Sequence, residues 1–136
     1  MEASELLKLA EDARRSAYAP YSSFSVGAAL LTQSGEVFLG CNIESASFSP
    51  TCCAERVAFF KAISEGKSDF CAIAVCGGKI GEDERRECTP CGVCRQVMSE
   101  FCSDSFRIIC YGNDGKIVES TLDALLPRRF ALKVND

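Results

Sequence analysis

The segment Thr51-Cys52-Cys53-Ala54-Glu55-Arg56, answered downstream by Pro90-Cys91-Gly92-Val93-Cys94-Arg95, decides how this chain is read. Cys53, Cys91 and Cys94 offer three thiolates to one metal. Glu55 stands two residues beyond the first of them. Three protein ligands with an open fourth position mark a catalytic zinc rather than a structural one. A Glu that is not a ligand can then carry protons for an activated water.

The flanking pattern gives both strings helical starts. Pro50–Cys53 opens a helix that runs to about Glu65, where Gly66 stops it. Thr89 reads as the cap of a second helix, with Pro90 at its first position and its end near Cys102. Cys91 and Cys94, three apart, share one face of a first turn. Two helix N-termini aimed at one point favour anionic sulfur.

Outward from these helices the chain alternates. Residues 4–18 place Leu6, Ala10, Ala13 and Ala17 at helical spacing, and Ala19-Pro20 ends that helix. Phe24–Leu31 reads as a central strand buried on both faces, and Val37–Cys41 as its hairpin partner. Phe70–Cys76 is a third strand, followed by a charged loop, 77–87. Arg107–Tyr111 and Lys116–Glu119 flank the turn Asn113-Asp114-Gly115. A short helix starts at Thr121 and ends at Leu126-Pro127. The order α-β-β-α-β-α-β-β predicts an α/β fold, a mixed sheet with helices on both faces, in a single domain spanning residues 1–136.

Composition narrows the chemistry. The 136 residues are 47% hydrophobic with a net charge of -4. No basic stripe exists to meet a phosphate backbone, so no nucleic acid is expected. No apolar run nears the roughly 18 residues of a membrane span, and the acidic start Met1-Glu2-Ala3-Ser4-Glu5 does not read as a secretory leader. The expected setting is a reducing cytoplasm, where clustered cysteines bind metal or act in catalysis. The chain has ten cysteines and no histidine, which leaves Glu55 as the natural proton carrier.

A zinc with three thiolates carries excess negative charge. Arg56 is expected to draw charge from Cys53 by a hydrogen bond to sulfur, and Arg95 is placed to do the same at Cys94. Other readings compete at several positions. A Glu in a first helical turn also suits the macrodipole. Cys52 and Cys88 lie one ligand spacing from the chosen set. Cys88-x-x-Cys91-x-x-Cys94 resembles part of an iron–sulfur run, and Cys91 with Cys94 resembles a redox pair. Cys41, Cys71, Cys76, Cys102 and Cys110 read as small core residues.

Further segments carry a family resemblance: Tyr18-Ala19-Pro20-Tyr21-Ser22, Phe24-Ser25-Val26-Gly27-Ala28-Ala29, Gly40-Cys41-Asn42-Ile43-Glu44, Cys53-Ala54-Glu55-Arg56, Pro90 to Gln96, and Leu125-Leu126-Pro127. In that order they resemble the short, homotetrameric, zinc-dependent cytidine deaminases over nearly the whole chain. The resemblance implies a three-layer α/β/α fold with a five-stranded mixed sheet. It implies Zn2+ on Cys53, Cys91 and Cys94, with Glu55 as proton shuttle. Asn42 and Glu44 would hold ribose hydroxyls, Phe24 would pack the base, and Ala54 would offer a backbone contact to the pyrimidine. Phe130 would reach a neighbouring subunit's site. The implied reaction is hydrolysis of cytidine or deoxycytidine to uridine or deoxyuridine and ammonia, in pyrimidine salvage. Many relatives with a His ligand act on nucleotides or nucleic acids; Cys53 and Asn42-Ile43-Glu44 favour a free nucleoside. The alternatives are a blasticidin-S-type deaminase, which shares the two cysteine strings, and a non-enzymatic structural zinc module, which needs a fourth ligand.

Overall fold

A run of apolar residues from Val26 to Leu31 makes β1 (Phe24–Thr32) the strand that others flank. The computed structural model describes residues 1–83, 85–132 and 134. It places β1 between β2 (Val37–Cys41) and β3 (Phe70–Lys79), antiparallel to both. β4 (Arg107–Tyr111) runs parallel to β3, and β5 (Ile117–Thr121) closes the sheet antiparallel to β4. The order is β2-β1-β3-β4-β5, a five-stranded mixed sheet.

Topology then dictates where the helices go. β2 and β3 both oppose β1, so they are parallel to each other and need a crossover, which α2 (Ala54–Ser64) supplies. α3 (Gly92–Phe101) supplies the next crossover, from β3 to β4. Both step the same way across the sheet with the favoured right hand, so both helices land on one face. α1 (Ala3–Ala13) covers the other. The expected three layers are thus present.

Side-chain alternation along the strands serves both layers. Leu30, Ile73, Val75 and Ile108 meet Phe59 and Met98 beneath α2 and α3, where Phe59 and Phe70 pack edge to face at 5.2 Å. Ala29, Leu31, Ala74 and Ile109 meet Leu6, Leu7 and Ala10 of α1. Each face has one glycine where the helix backbone comes down onto the strand. A Cβ on Gly27 would overlap the Ala10 carbonyl, and one on Gly40 would overlap the Ala54 carbonyl.

The structure corrects several boundaries. α1 stops at Ala13, and a 3-10 turn (Arg14–Ser16) follows. The Tyr18 N–H then bonds the Asn42 carbonyl at 3.0 Å, pairing the chain with the loop instead of continuing a helix. β3 extends to Lys79 because Phe24 of β1 pairs with it, so Gly77 and Gly78 are strand, not loop. α3 is capped by Cys91, not Thr89, and Pro90 lies before it. The last strand ends at Thr121, whose hydroxyl caps the short α4 (Leu122–Leu125) at 3.3 Å. Cys76 and Cys110 are buried, whereas Cys41, Cys71 and Cys102 are half-buried. Among the described residues no helix is long and apolar enough to cross a membrane.

Candidate active site

α2 follows β2 and α3 follows β3, so two helix N-termini open at the carboxyl ends of parallel strands. That is where open α/β sheets place their sites. Cys53 is the N-cap of α2 and Cys91 the N-cap of α3, both with extended backbone and no side-chain capping bond. Their sulfurs stay free to face each other. Cys53 Sγ and Cys91 Sγ are 3.8 Å apart, and Cys91 Sγ lies 3.5 Å from Cys94 Sγ in the first turn of α3.

All three sulfurs lie within 4.8 Å of one another and form a group able to hold a metal ion. Among the described residues no fourth Cys or carboxylate joins them. A tetrahedral zinc with bonds of about 2.3 Å would hold sulfurs about 3.8 Å apart, so the set fits it. Cys52 and Cys88 stand outside the group. Burial pushes the Cys88 thiol up to about 12 and raises Cys52.

The charges are arranged to favour thiolate. Arg56 Nη2 donates to Cys53 Sγ at 3.4 Å, as its place three residues on suggests. Hydrogen bonding from the Cys94 thiol, with lesser help from Arg56 and Cys91, lowers the Cys53 thiol to about 5. Cys94, as donor to that thiolate, is raised. The hydrogen bond that Arg56 donates to the Cys53 sulfur holds the guanidinium firmly protonated. Arg95 departs from expectation: its guanidinium bonds the Pro90 and Leu125 carbonyls, both at 2.8 Å, and not sulfur.

Glu55 is only 4% exposed, on the first turn of α2. Burial raises its carboxyl to about 7. A group poised there can take and return a proton at neutral pH.

Around this centre lie the other residues singled out from the sequence. Ala54 is fully buried at the first position of α2. The Phe24 ring and the Cys88 sulfur both close on Gly77, where an added Cβ would stand 2.9 and 2.7 Å from them. The Asn42 side chain accepts from Val26 N–H at 2.8 Å and donates to the Phe24 carbonyl at 2.9 Å, which pins the loop to β1. Glu44 accepts from Tyr21 N–H, Ser22 N–H and the Ser22 hydroxyl, and the hydroxyl bond lowers its carboxyl. Phe130 exposes 67% of its surface while Gln96 Nε2 holds its carbonyl at 3.0 Å.

A family model described as the cytidine and deoxycytidylate deaminase zinc-binding region matches residues 1–110. A cytidine deaminase of Halalkalibacterium halodurans is 47% identical over 137 residues, covering 100% of both chains. This chain belongs to the cytidine and deoxycytidylate deaminase family. The cytidine deaminase of Sporosarcina psychrophila is 45% identical, with 96% of this chain and 93% of that one aligned. A solved cytidine deaminase from Burkholderia pseudomallei matches with a TM-score of 0.85 at 42% identity, covering 96% of this chain and 100% of that one.

Zinc is the family's metal, and the three-sulfur group suits it. Sequence reasoning missed Ser22 as the partner of Glu44, Gly77 beneath Phe24, and the use Arg95 makes of its fork. A glycine inside a strand is the one advance signal among these, since it marks close approach.

Proposed function

We propose that this chain catalyses hydrolytic deamination of cytidine and deoxycytidine, giving uridine or deoxyuridine and ammonia. The observation that carries this reading is the three-sulfur group beside a buried carboxyl raised to about 7, in a chain 47% identical to a cytidine deaminase along its whole length.

Cys53, Cys91 and Cys94 would hold Zn2+, which when bound would supply a Lewis acid that makes water a nucleophile near neutral pH. Glu55 accepts a proton from the attacking water and delivers it to ring N3, which makes C4 electrophilic. Water oxygen bonds to C4. Glu55 then takes the proton left on that oxygen and passes it to the exocyclic nitrogen, the C4–N bond breaks, and ammonia leaves. Arg56 withdraws charge from Cys53 and so offsets the third thiolate. Phe24 packs the base, the Ala54 backbone meets the pyrimidine, and Asn42 with Glu44 holds the ribose. The polar contacts already fixing Asn42 and Glu44 support this, because a preorganised side chain loses little freedom on binding.

The 136 residues act as one domain. The assembly is a homotetramer in which subunits share sites, and exposed apolar side chains such as Phe48, Val93, Phe130 and Leu132 are ones its interfaces would cover. The ten free cysteines suit a reducing cytoplasm and a role in pyrimidine salvage there.

Ultraviolet absorbance tests the reading. Mixing zinc-loaded protein with cytidine should lower the absorbance as uridine forms; an unchanged spectrum overturns the activity. Deoxycytidine should react as well. Cytosine and CMP should fail for want of ribose contacts or for an excess phosphate. Faster turnover of blasticidin S than of cytidine would move the assignment to that substrate. Sedimentation of the holoprotein as a monomer would overturn the tetramer.

A further inference from the structure

Arg95 follows Cys94 on α3, yet its guanidinium turns away from the sulfurs. Nε donates to the Pro90 carbonyl and Nη1 to the Leu125 carbonyl, both at 2.8 Å. Gln96, the next residue, donates to the Phe130 carbonyl at 3.0 Å. These carbonyls come from two stretches distant in sequence, the turn that leads into Cys91 and the C-terminal segment that begins with α4.

Each carbonyl needs a donor. Pro90 is fully buried, and its oxygen lies where water gives little help. Leu125 is the last residue of α4, and the carbonyls of a last turn have no partner within the helix. A cationic donor suits that end. The backbone from 85 to 91 lies outside helix and strand, so the position of Cys91 depends on what grips this turn. Only an arginine fork spans two acceptors in fixed geometry; a lysine ammonium is a single point.

We propose that Arg95 is a positioning residue that ties the Pro90-Cys91 turn to the C-terminal segment, making zinc retention and docking of residues 122–130 one linked equilibrium. Linkage is reciprocal: whatever zinc adds to docking of the segment, docking adds to zinc affinity. Gln96 extends the same clamp to the backbone of Phe130. The inference rests on Cys91 and Cys94 as zinc ligands.

The test uses the full chain without substrate, so it is independent of turnover. Zinc content is measured first, then zinc release to a chromophoric chelator, then amide exchange in zinc-loaded and zinc-stripped protein. Leu122 N–H, bonded to the Phe106 carbonyl at 3.0 Å, and Leu126 N–H, bonded to the Leu122 carbonyl at 2.8 Å, report on the segment. Stripping zinc from the parent should speed exchange at Leu122 and Leu126 far more than at Ile73 in the core. Arg95→Met should release zinc about 10-fold to 100-fold faster. Its exchange at Leu122 and Leu126 should be fast with or without zinc. Arg95→Lys should recover part of the loss, which a general loosening of the fold would not predict. Gln96→Met leaves both Arg95 bonds in place and removes only the hold on Phe130, so it should speed zinc release less than Arg95→Met does.

Parent-like zinc release from Arg95→Met overturns the proposal. Should that variant fail to fold, the parent decides alone: exchange at Leu122 and Leu126 that ignores zinc overturns it equally. A parent that takes up no zinc overturns the ligand assignment together with the proposal, whereas full zinc with an uncoupled segment overturns the proposal only.

Discussion

The two helix starts that meet at the sulfurs are built in different ways. The start of α2 is set by backbone. Ile43 and Cys52 exchange N–H to carbonyl bonds at 3.0 and 2.9 Å, and Gly40 lets the Ala54 carbonyl come down onto β2. The start of α3 follows a stretch without regular structure, leaves Cys91 exposed, and has open space where a Cβ on Gly92 would stand. A side chain, Arg95, holds it. The rigid wall carries Glu55, whose proposed proton transfers would need a dry and fixed setting. The open wall carries Cys91 and Cys94, which complete the three-sulfur group.

The sharpest way to break this contrast is at Glu55. Glu55→Gln should keep zinc and lose about 10²–10⁴-fold in turnover, followed by the absorbance of cytidine. Near-parent turnover would move the proton carrier off the rigid wall.

Paired glycine substitutions compare the walls directly. Gly40→Ala drives a methyl into the Ala54 carbonyl and to 2.6 Å from Ala58 N, and should destabilise by about 3 kcal/mol or more. Gly92→Ala meets nothing within 4 Å and should stay within about 1 kcal/mol of the parent. Equal denaturant midpoints for the two variants would erase the distinction.

Acid titration sharpens the burial of Glu55 in the zinc-free protein. Its carboxyl rises from an ordinary 4.5 to about 7 in the fold, so the folded state keeps a proton that the unfolded chain has released. The favourable contribution is complete below 4.5 and is lost as pH climbs to about 7. Relative to its parent, zinc-free Glu55→Gln should therefore gain stability between about pH 4 and about pH 8, by up to ~3 kcal/mol. Taking the difference cancels the part of the Cys53 titration that does not depend on Glu55; that lowered thiol works in the opposite direction. A constant difference across that range would mean that Glu55 is hydrated.

The smallest effect belongs to the loop beside the rigid wall. Asn42→Ala should raise KM for cytidine by roughly 10-fold, the worth of about one good hydrogen bond. An unchanged KM with lowered stability would leave Asn42 as the pin between its loop and β1.

Much of this was legible in the chain itself. β1 announced itself by a continuous apolar run, and the hairpins by their turn residues, because those signals are local. Cys53, Glu55, Cys91 and Cys94 stood out because ligand spacing on a helical first turn is also local. Arg56 was placed by the same logic, three residues along one helix. Apart from the cap of α3, placed two residues early at Thr89, the errors fell where partners are remote. The fork of Arg95 looked aimed at sulfur until α4, thirty residues on, presented a carbonyl to it. Gly77 and Gly78 looked like loop until Phe24 paired across from Lys79.

By itself, then, the sequence offered the candidate donors, a candidate proton carrier and the alternation of strands and helices, since each depends on residue type and short spacing. Only the tertiary structure decided which cysteines meet and what holds their turn in place. Two right-handed crossovers stepping the same way across one sheet bring two distant helix N-termini together, and no short stretch of sequence encodes that distance.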